Sequence, residues 1–178
     1  MNVQSEAAAE SKVSGSEFDL EAMFRAQYAR VARVIGRVVR DPARAEELAV
    51  EVFLKVWRNR RAQGEITEAW LYRAAVRVGL DELRRETRRT RYESLFRFAR
   101  KPPTPEELHS AKEEQKRVRA VLSAIAPRQA ELLILRSEGL SYDKLATALD
   151  VNAASIGTFL SRAQQAFRKE FIKRYGEE

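Results

Sequence analysis

The chain has 178 residues, no Cys and a net charge of +7, with 33 Lys and Arg against 26 Asp and Glu. The lack of Cys excludes a disulfide framework and thiolate metal sites, and it favours a reducing compartment. No apolar run approaches the roughly 18 to 20 residues that a membrane-spanning helix needs, and the N-terminus has neither a basic opening nor an apolar core. We therefore expect a cytoplasmic protein without membrane insertion, with one domain or two small ones.

The positive charge is concentrated in the first half of the chain. Residues 18–100 contain 19 Lys and Arg against 12 acids, whereas residues 101–178 contain 13 against 11. Five arginines fall within residues 84–91, RRETRRTR. Charge runs are usually solvated faces, but Arg in place of Lys favours bidentate contact with phosphates or bases. The excess therefore predicts a surface in the first half that lies along phosphates.

The first half also predicts a small bundle of three helices. Residues 1–17 are small and polar, which predicts a disordered tail. Apolar residues then recur at helical spacing from Phe18 to Arg40. The next stretch, DPARAEELAVEVFLKVW, predicts a second helix with Asp41 as its N-cap and Pro42 in its first turn. A basic loop, RNRRAQGEI, follows, and Thr67 is the predicted N-cap of a third helix that runs into the arginine cluster.

The second predicted helix has two distinct faces. Seven apolar residues form its predicted core face: Ala45, Leu48, Ala49, Val52, Phe53, Val56 and Trp57. The opposite strip consists of Glu47, Val50, Glu51 and Lys55. One interpretation is a solvated face with a single stray apolar residue, which is common. The other is a docking ridge for a partner helix, and these residues alone leave both interpretations open.

A linker separates the two halves. Residues 92–110 contain Pro102, Pro103 and Pro105, which exclude a continuous helix. The lone His109 lies in this polar stretch, and we assign it no role. We therefore predict an all-α fold of two small helical domains, whose mutual orientation is fixed only by a partner.

The C-terminal segment predicts a helix-turn-helix. Pro127 starts a helix that Gly139 ends, and Ser141 caps the helix YDKLATAL. The short turn DVN leads into a last long helix. Asp150 occupies the turn position that needs a left-handed backbone, and the small Ala146 lies where the two helices approach closely. An ordinary antiparallel helix pair is the other interpretation, but the pattern favours DNA binding.

Three motifs, in this order, carry a resemblance to a known family. They are AEELAVEVFLKVW, AWLYRAAVRVGLDELRR and, after the Pro-rich linker, LSAIAPRQAELLILRSEGLSYDKLATALDVNAASIGTFLSRAQQAFRK. With them the chain resembles an extracytoplasmic-function (ECF) sigma factor of bacterial RNA polymerase. The resemblance implies that residues 18–91 correspond to sigma region 2, residues 92–110 to the connector and residues 111–175 to the helix-turn-helix of region 4.

The resemblance also implies site residues. The set that would dock on the coiled coil of the polymerase beta-prime subunit is Glu46, Glu47, Leu48, Val50, Glu51 and Phe53. The set that would face the −10 promoter element is Arg58, Arg60, Arg61, Trp70, Tyr72, Arg73, Arg77, Arg84, Arg85 and Arg88, with the loop from Arg58 to Ile66 holding an extruded base. The −35 set is Ser155, Gly157, Thr158, Phe159 and Arg162.

The chain departs from the family pattern at four of these positions. Val50 stands where Gln is usual, and Arg77 stands where Asn is common. Gly157 and Phe159 stand where many relatives have Lys and Arg. The leading half of the recognition helix therefore has no positive charge before Arg162, which weakens direct readout of base edges.

The implied function is that of a transcription initiation factor that binds core RNA polymerase and opens the −10 region of specific promoters. Its partners would be the beta-prime and beta subunits and promoter DNA, with an anti-sigma factor as a further candidate. The alternative is a stand-alone helix-turn-helix regulator acting without polymerase, which leaves the first bundle without a role. An enzyme is the second alternative. The sequence argues against it, because the chain has one His, no glycine-rich loop that would bind phosphate, and acids that are scattered rather than paired. We therefore expect no enzymatic activity, no cofactor and no metal.

Overall fold

The computed structural model describes residues 19–59, 67–96 and 111–176, which contain helices and no strand. The helices are α1 (Leu20–Val38), α2 (Pro42–Arg58), α3 (Thr67–Phe96), α4 (Ala111–Ala124), α5 (Pro127–Ser137), α6 (Tyr142–Leu149) and α7 (Ala153–Tyr175). The all-α prediction is confirmed for these residues. The predicted disordered tail, residues 1–17, lies outside them. None of the helices in the described ranges is long and apolar enough to cross a bilayer.

The helix starts follow local capping chemistry. Side-chain oxygens accept backbone N–H hydrogen bonds at four helix starts: Asp19 from Ala22, Asp41 from Ala43, Ser141 from Lys144 and Asn152 from Ala154. The predicted caps Asp41 and Ser141 are therefore confirmed. The first helix begins at Leu20 rather than at Phe18, because Asp19 supplies the cap that an apolar residue cannot.

Helices α1, α2 and α3 pack around one apolar centre. Its side chains are almost inaccessible to solvent: Val31, Val34, Ile35, Ala49, Val52, Val56, Leu71, Ala75 and Val76. Burying a side chain of the size of Val or Leu stabilises a fold by about 1.5 to 3 kcal/mol. At the edge of this centre, the ring of Phe24 lies 4.8 Å from that of Tyr28 and 4.9 Å from that of Phe53, measured between centroids.

Trp57 is not part of this core. It is 59% exposed, so its prediction as a core residue is wrong. It lies in the last turn of α2, about 100° around the helix from the buried Val56, and therefore at the margin of the apolar face.

The helix-turn-helix forms as predicted from α6, a short turn and α7. Asp150 has φ 54° and ψ 58°, the left-handed conformation that its position requires. The N–H of Val151 donates to the carbonyl of Ala146 at 3.0 Å, which closes the end of α6. Ala146 is 7% exposed, in agreement with its predicted place at the close approach of the two helices.

Helix α3 connects the two halves of the molecule. It packs against α1 and α2 and also against α4, α5 and α6. Residues 92–96, predicted as the start of the linker, continue α3 to Phe96, and the three prolines of the predicted linker lie outside the described residues. The prediction that a partner alone fixes the orientation of the two halves is wrong for this structure, because α3 packs against α4, α5 and α6 and its Arg73 and Arg77 side chains pair with Glu131 of α5.

The turn conformation gives a stability prediction. Replacing Asp150 with Val should lower the free energy of unfolding by about 1 to 2 kcal/mol, because a branched side chain is strained in the left-handed region. Urea unfolding followed by circular dichroism measures the change. Asp150→Gly is the control and should stay within about 0.5 kcal/mol of the parent, since glycine adopts this conformation freely. Equal losses in both variants would contradict the strain argument.

Candidate functional site

The outward strip of α2 combines acidic and apolar side chains. Glu46, Glu47 and Glu51 are exposed, and Val50 and Leu54 are each 42% exposed. Leu54 was not among the predicted site residues, although its position four residues after Val50 places both on one helix face. An exposed apolar strip between carboxylates is typical of a surface that binds a partner helix.

Arg44 orders the acids of this strip. Its guanidinium lies 2.9 Å from the carboxylate of Glu47, 3.7 Å from that of Glu51 and 3.3 Å from that of Glu82 on α3. The hydrogen bond to Glu82, followed by that to Glu47, raises the pKa of Arg44. Arg44 therefore stays charged and ties α2 to α3, while it holds Glu47 and Glu51 on the exposed side.

Three of the site residues implied by the resemblance are buried. Leu48 and Phe53 are each 3% exposed and Tyr72 is 2% exposed. The prediction that they touch a partner directly is therefore wrong for this structure. Leu48 and Phe53 lie on the apolar face of α2 that the helical spacing predicted as core, so that prediction is confirmed for both of them, and Tyr72 lies on the face of α3 that points into the bundle.

Tyr72 instead joins the first and third helices. Its hydroxyl lies 2.7 Å from Oε1 of Gln27 and 3.1 Å from Oε1 of Glu68, either of which accepts its proton. The guanidinium of Arg30 lies 4.6 Å from the ring centroid. Burial raises the pKa of Tyr72 to about 12, against the effect of the nearby Arg30 charge.

The outward face of α3 forms a basic cleft next to α2. The cleft has a volume of about 280 Å³, and Lys55, Trp70, Arg73, Arg77 and Asp81 contribute to its lining. An aromatic ring beside guanidinium groups is able to stack on a base and to pair with phosphates. This cleft brings together three of the residues predicted to face the −10 element.

The remaining predicted −10 residues follow or flank this cleft. Arg85 and Arg88 are exposed farther along α3, whereas Arg84 is half-buried. Arg58 is exposed at the end of α2. Arg60 and Arg61 lie outside the described residues.

Two of the cleft arginines also contact the C-terminal half. The Nε atoms of Arg73 and Arg77 lie 3.5 Å and 3.2 Å from Oε1 of Glu131 on α5. Glu131 is 4% exposed, and it is the only buried charged or polar residue in the described part of the chain. This contact was not among our sequence predictions.

The start of α7 presents the predicted −35 residues. Thr158, Phe159 and Arg162 are exposed, and Ser155 and Gly157 are half-buried. Phe159 and Arg162 help to line an apolar cleft of about 230 Å³ between α7 and α5. The five residues thus share one accessible region, whose leading half carries no charge.

Comparison with known proteins identifies the family of this chain. The family model described as Sigma-70 region 2 matches residues 23–89. ECF RNA polymerase sigma factor SigK of Mycolicibacterium vanbaalenii is 32% identical over 151 residues, which cover 79% of this chain and 76% of SigK. The chain belongs to the ECF RNA polymerase sigma factors.

Other relatives agree with this assignment. ECF RNA polymerase sigma factor SigE of Mycolicibacterium smegmatis is 29% identical over 154 residues, covering 83% of this chain, and the chain spans 60% of the length of SigE. The solved complex of the sigma factor RpoE with the anti-sigma factor NepR from Bartonella quintana has a fold similar to this one. Its TM-score is 0.52 at 18% identity, with 86% of this chain and 97% of that chain covered.

Family membership gives the general function. ECF sigma factors are regulatory transcription factors that bind RNA polymerase and direct initiation at particular promoters, and this chain is a promoter-directing factor of that kind. The alternative of a regulator acting without polymerase is not favoured, since it does not account for the Sigma-70 region 2 match.

The position of Tyr72 gives a prediction that separates structure from DNA contact. The ordinary tyrosine pKa is about 10, so the raised folded-state pKa stabilises the fold below pH 10 and this stabilisation is lost as the pH rises through about 12. As the pH rises from 10 to about 12, the free energy of unfolding should fall by on the order of 2 kcal/mol more in the parent ECF factor than in the Tyr72→Phe variant. Chemical unfolding at pH 9 and pH 12 measures the difference.

Promoter binding is the accompanying control. Tyr72→Phe should leave the promoter affinity of the polymerase complex unchanged, because Tyr72 is only 2% exposed and its hydroxyl is hydrogen-bonded within the bundle, to Gln27 or Glu68. A loss of promoter affinity without a change in the pH profile would return Tyr72 to the DNA-contacting set.

Proposed function

We propose that the outward strip of α2 binds the coiled coil of the polymerase beta-prime subunit. The contact residues are Glu46, Glu47, Val50, Glu51 and Leu54. Two features support this assignment: apolar side chains are exposed at helical spacing, and Arg44 holds two flanking carboxylates on the same side. A basic partner helix with an apolar stripe would complement this strip.

We further propose that the cleft on α3 binds the −10 element during promoter opening. Trp70 would stack on an unpaired base, while Arg73 and Arg77 contact the strand. Arg84, Arg85 and Arg88 would extend the contact along phosphates, and Arg58 with the adjoining loop residues Arg60 and Arg61 would border the site of an extruded base. Support comes from the juxtaposition of Trp70 with the arginines in one cleft.

The proposal for the C-terminal half is that the start of α7 contacts the −35 element. Ser155 and Thr158 would read base edges, backbone groups near Gly157 and Phe159 would approach the groove, and Arg162 would bind phosphate. The accessibility of this region supports the assignment. The beta subunit would then hold this half on the polymerase.

The observation that carries the whole proposal is the pairing of two surfaces on one bundle. An acidic and apolar strip on α2 and a basic aromatic cleft on α3 suit two different partners, a protein helix and a nucleic acid. We infer that the factor acts without enzymatic activity of its own, in the cytoplasm, where it would meet the polymerase. An anti-sigma factor is a candidate partner of the same surfaces, since the sigma factor RpoE, which has a similar fold, was solved in complex with the anti-sigma factor NepR.

The docking strip gives a direct test. Replacing both Glu47 and Glu51 with Lys should weaken binding to core RNA polymerase about tenfold or more, because two attractive contacts become repulsive. Helical content should change little: the substitutions remove two exposed ion pairs with Arg44, each worth about 0.2 to 1 kcal/mol, while Arg44 keeps its contact with Glu82 on α3. The affinity is measured by fluorescence anisotropy of the labelled factor with core enzyme.

A charge-matched control accompanies this variant. Glu21 and Glu114 are exposed on α1 and α4, away from the strip, and their replacement by Lys changes the net charge by the same amount. This control should bind core enzyme like the parent. If both double variants lose affinity equally, overall charge rather than the α2 strip governs binding.

The two proposed DNA-binding surfaces should have different roles, phosphate binding on α3 and sequence recognition at the start of α7, and this difference gives a second test. Changing Arg84, Arg85 and Arg88 to Ala in the polymerase complex should lower promoter affinity and flatten its salt dependence by up to about three phosphate equivalents, each contributing about −0.9 to the slope. Changing Ser155 and Thr158 to Ala should alter the preferred upstream sequence and leave the slope nearly intact. Promoter variants titrated at several salt concentrations provide both quantities.

The matched control for the arginine variant changes Arg25, Arg33 and Arg174 to Ala. These three exposed residues lie outside the proposed contacts and carry the same total charge. The control should keep the parent salt slope. Should it flatten the slope as much as the α3 variant does, the arginine cluster of α3 is not the phosphate-binding surface.

A further inference from the structure

One face of α3 has an aromatic residue at each end and arginines between them. Residues on this face recur at three- and four-residue spacing, which places them on one side of an α-helix. They are Trp70, Arg73, Arg77, Asp81, Arg84, Arg88 and Tyr92. At a rotation of about 100° per residue, Tyr92 lies only about 40° around the axis from Trp70. Tyr92 therefore extends the same face beyond the residues of the proposed −10 contact.

The end of α3 that carries Tyr92 projects beyond the bundle. Leu83, which is 5% exposed, is the last buried side chain before Tyr92. Every residue from Thr87 to Tyr92 is exposed, and Tyr92 itself is 65% exposed. These turns of α3 therefore contribute little to either core, and their surface is available to a partner.

The projecting turns also concentrate positive charge. Five arginines fall within residues 84–91, with Glu86 as the one acid among them. Several of these arginines are three or four residues apart, a spacing at which like charges repel one another and weaken a helix. An anionic partner would relieve this repulsion, and a nucleic-acid backbone offers phosphates at regular intervals. The charge of this helix end therefore favours a polyanion over a protein surface of mixed charge.

The length of the face corresponds to one turn of duplex DNA. At a rise of about 1.5 Å per residue, Trp70 and Tyr92 lie roughly 33 Å apart along the axis of α3. One turn of B-DNA advances about 34 Å, or roughly ten base pairs. The chain continues from the far end of α3 into the C-terminal half, which would contact the −35 element. Tyr92 is therefore expected on the upstream side of Trp70.

We propose that Tyr92 is a positioning residue that binds a backbone phosphate of the duplex between the −10 and −35 elements, about ten base pairs upstream of the base that stacks on Trp70. The inference rests on the proposed −10 assignment of the α3 cleft. The tyrosine hydroxyl donates to the phosphate, and Arg88 and Arg91 pair with neighbouring phosphates. Phosphates carry no sequence information, so this contact fixes the path of the DNA along α3 and not its sequence.

The position of Tyr92 on the DNA is tested by photo-cross-linking. Polymerase complexes that carry p-benzoylphenylalanine in place of Trp70 or of Tyr92 are irradiated on a promoter that the factor transcribes, and the cross-linked bases are mapped by primer extension. Position 70 should cross-link to the −10 element. Position 92 should cross-link to duplex DNA about ten base pairs farther upstream.

The phosphate contact is tested by promoter affinity in the polymerase complex. Tyr92→Phe removes the donor hydroxyl and keeps the ring, so it should lower the affinity about three- to fivefold. A second promoter carries neutral methylphosphonates at the cross-linked spacer positions. On that promoter, Tyr92→Phe should cause a further loss of less than about twofold, because the charged acceptor is already absent.

Tyr175→Phe is the matched control. Tyr175 is 40% exposed at the end of α7, outside the proposed DNA contacts, and the guanidinium of Arg117 lies 5.4 Å from the centroid of its ring. This control should change promoter affinity by less than about twofold, since a hydroxyl that touches no phosphate contributes nothing to binding. Equal losses in the two Tyr→Phe variants, or an equal loss in Tyr92→Phe on both promoters, overturn the phosphate contact.

The cross-links separate this inference from the proposed function. If position 70 reaches the −10 element while position 92 reaches only polymerase subunits or the −10 element itself, the inference is overturned and the −10 assignment stands. If position 70 cross-links outside the −10 element, the −10 assignment is wrong and the inference that rests on it is overturned as well.

Discussion

A carboxylate that is nearly shielded from water has to be paired, and Glu131 is paired with arginines of a different bundle. Its side chain is 5% exposed and lies within 3.5 Å of Arg73 and Arg77. The orientation of α5 on α3 follows from this pairing, because rotation of either helix would leave a buried charge without compensation. Helix α3 consequently serves both halves: one face completes the first core, and the other carries cations that Glu131 and DNA would both use.

Local signals account for most of the fold that could be predicted from sequence. At Asp41 and Ser141, the capping side chain accepts a hydrogen bond from a backbone N–H group no more than three residues along the chain. The turn at Asp150 depends on the ability of this one residue to adopt a left-handed backbone conformation. These interactions are short-range, so sequence spacing specifies them. The α2 strip was recognisable for the same reason, because Val50 interrupts a row of acids at a fixed helical spacing.

The errors and omissions have different sources. Leu48 and Phe53 were assigned to a contact by the family resemblance, although the helical spacing had placed them on the core face where the structure has them, and Tyr72 was assigned to DNA by the same resemblance. Glu131 was missed because its partner Arg73 is 58 residues away along the chain, and no local pattern marks a pair at that separation. Trp57 was misassigned because periodicity identifies a face but not where the neighbouring helices cease to cover it.

The charges that join the two halves differ from those that would attract DNA. An exposed ion pair contributes about 0.2 to 1 kcal/mol, whereas the carboxylates of Glu131 and Glu138 are shielded from water and depend on their arginine partners. The excess of positive charge lies in the first half, with 19 cations against 12 acids in residues 18–100. The exposed start of α7 is uncharged before Arg162, so it contributes little attraction to DNA in general. Non-specific attraction to phosphate therefore resides mainly on the exposed arginines of α3, and the recognition helix would contribute through shape and polar contacts.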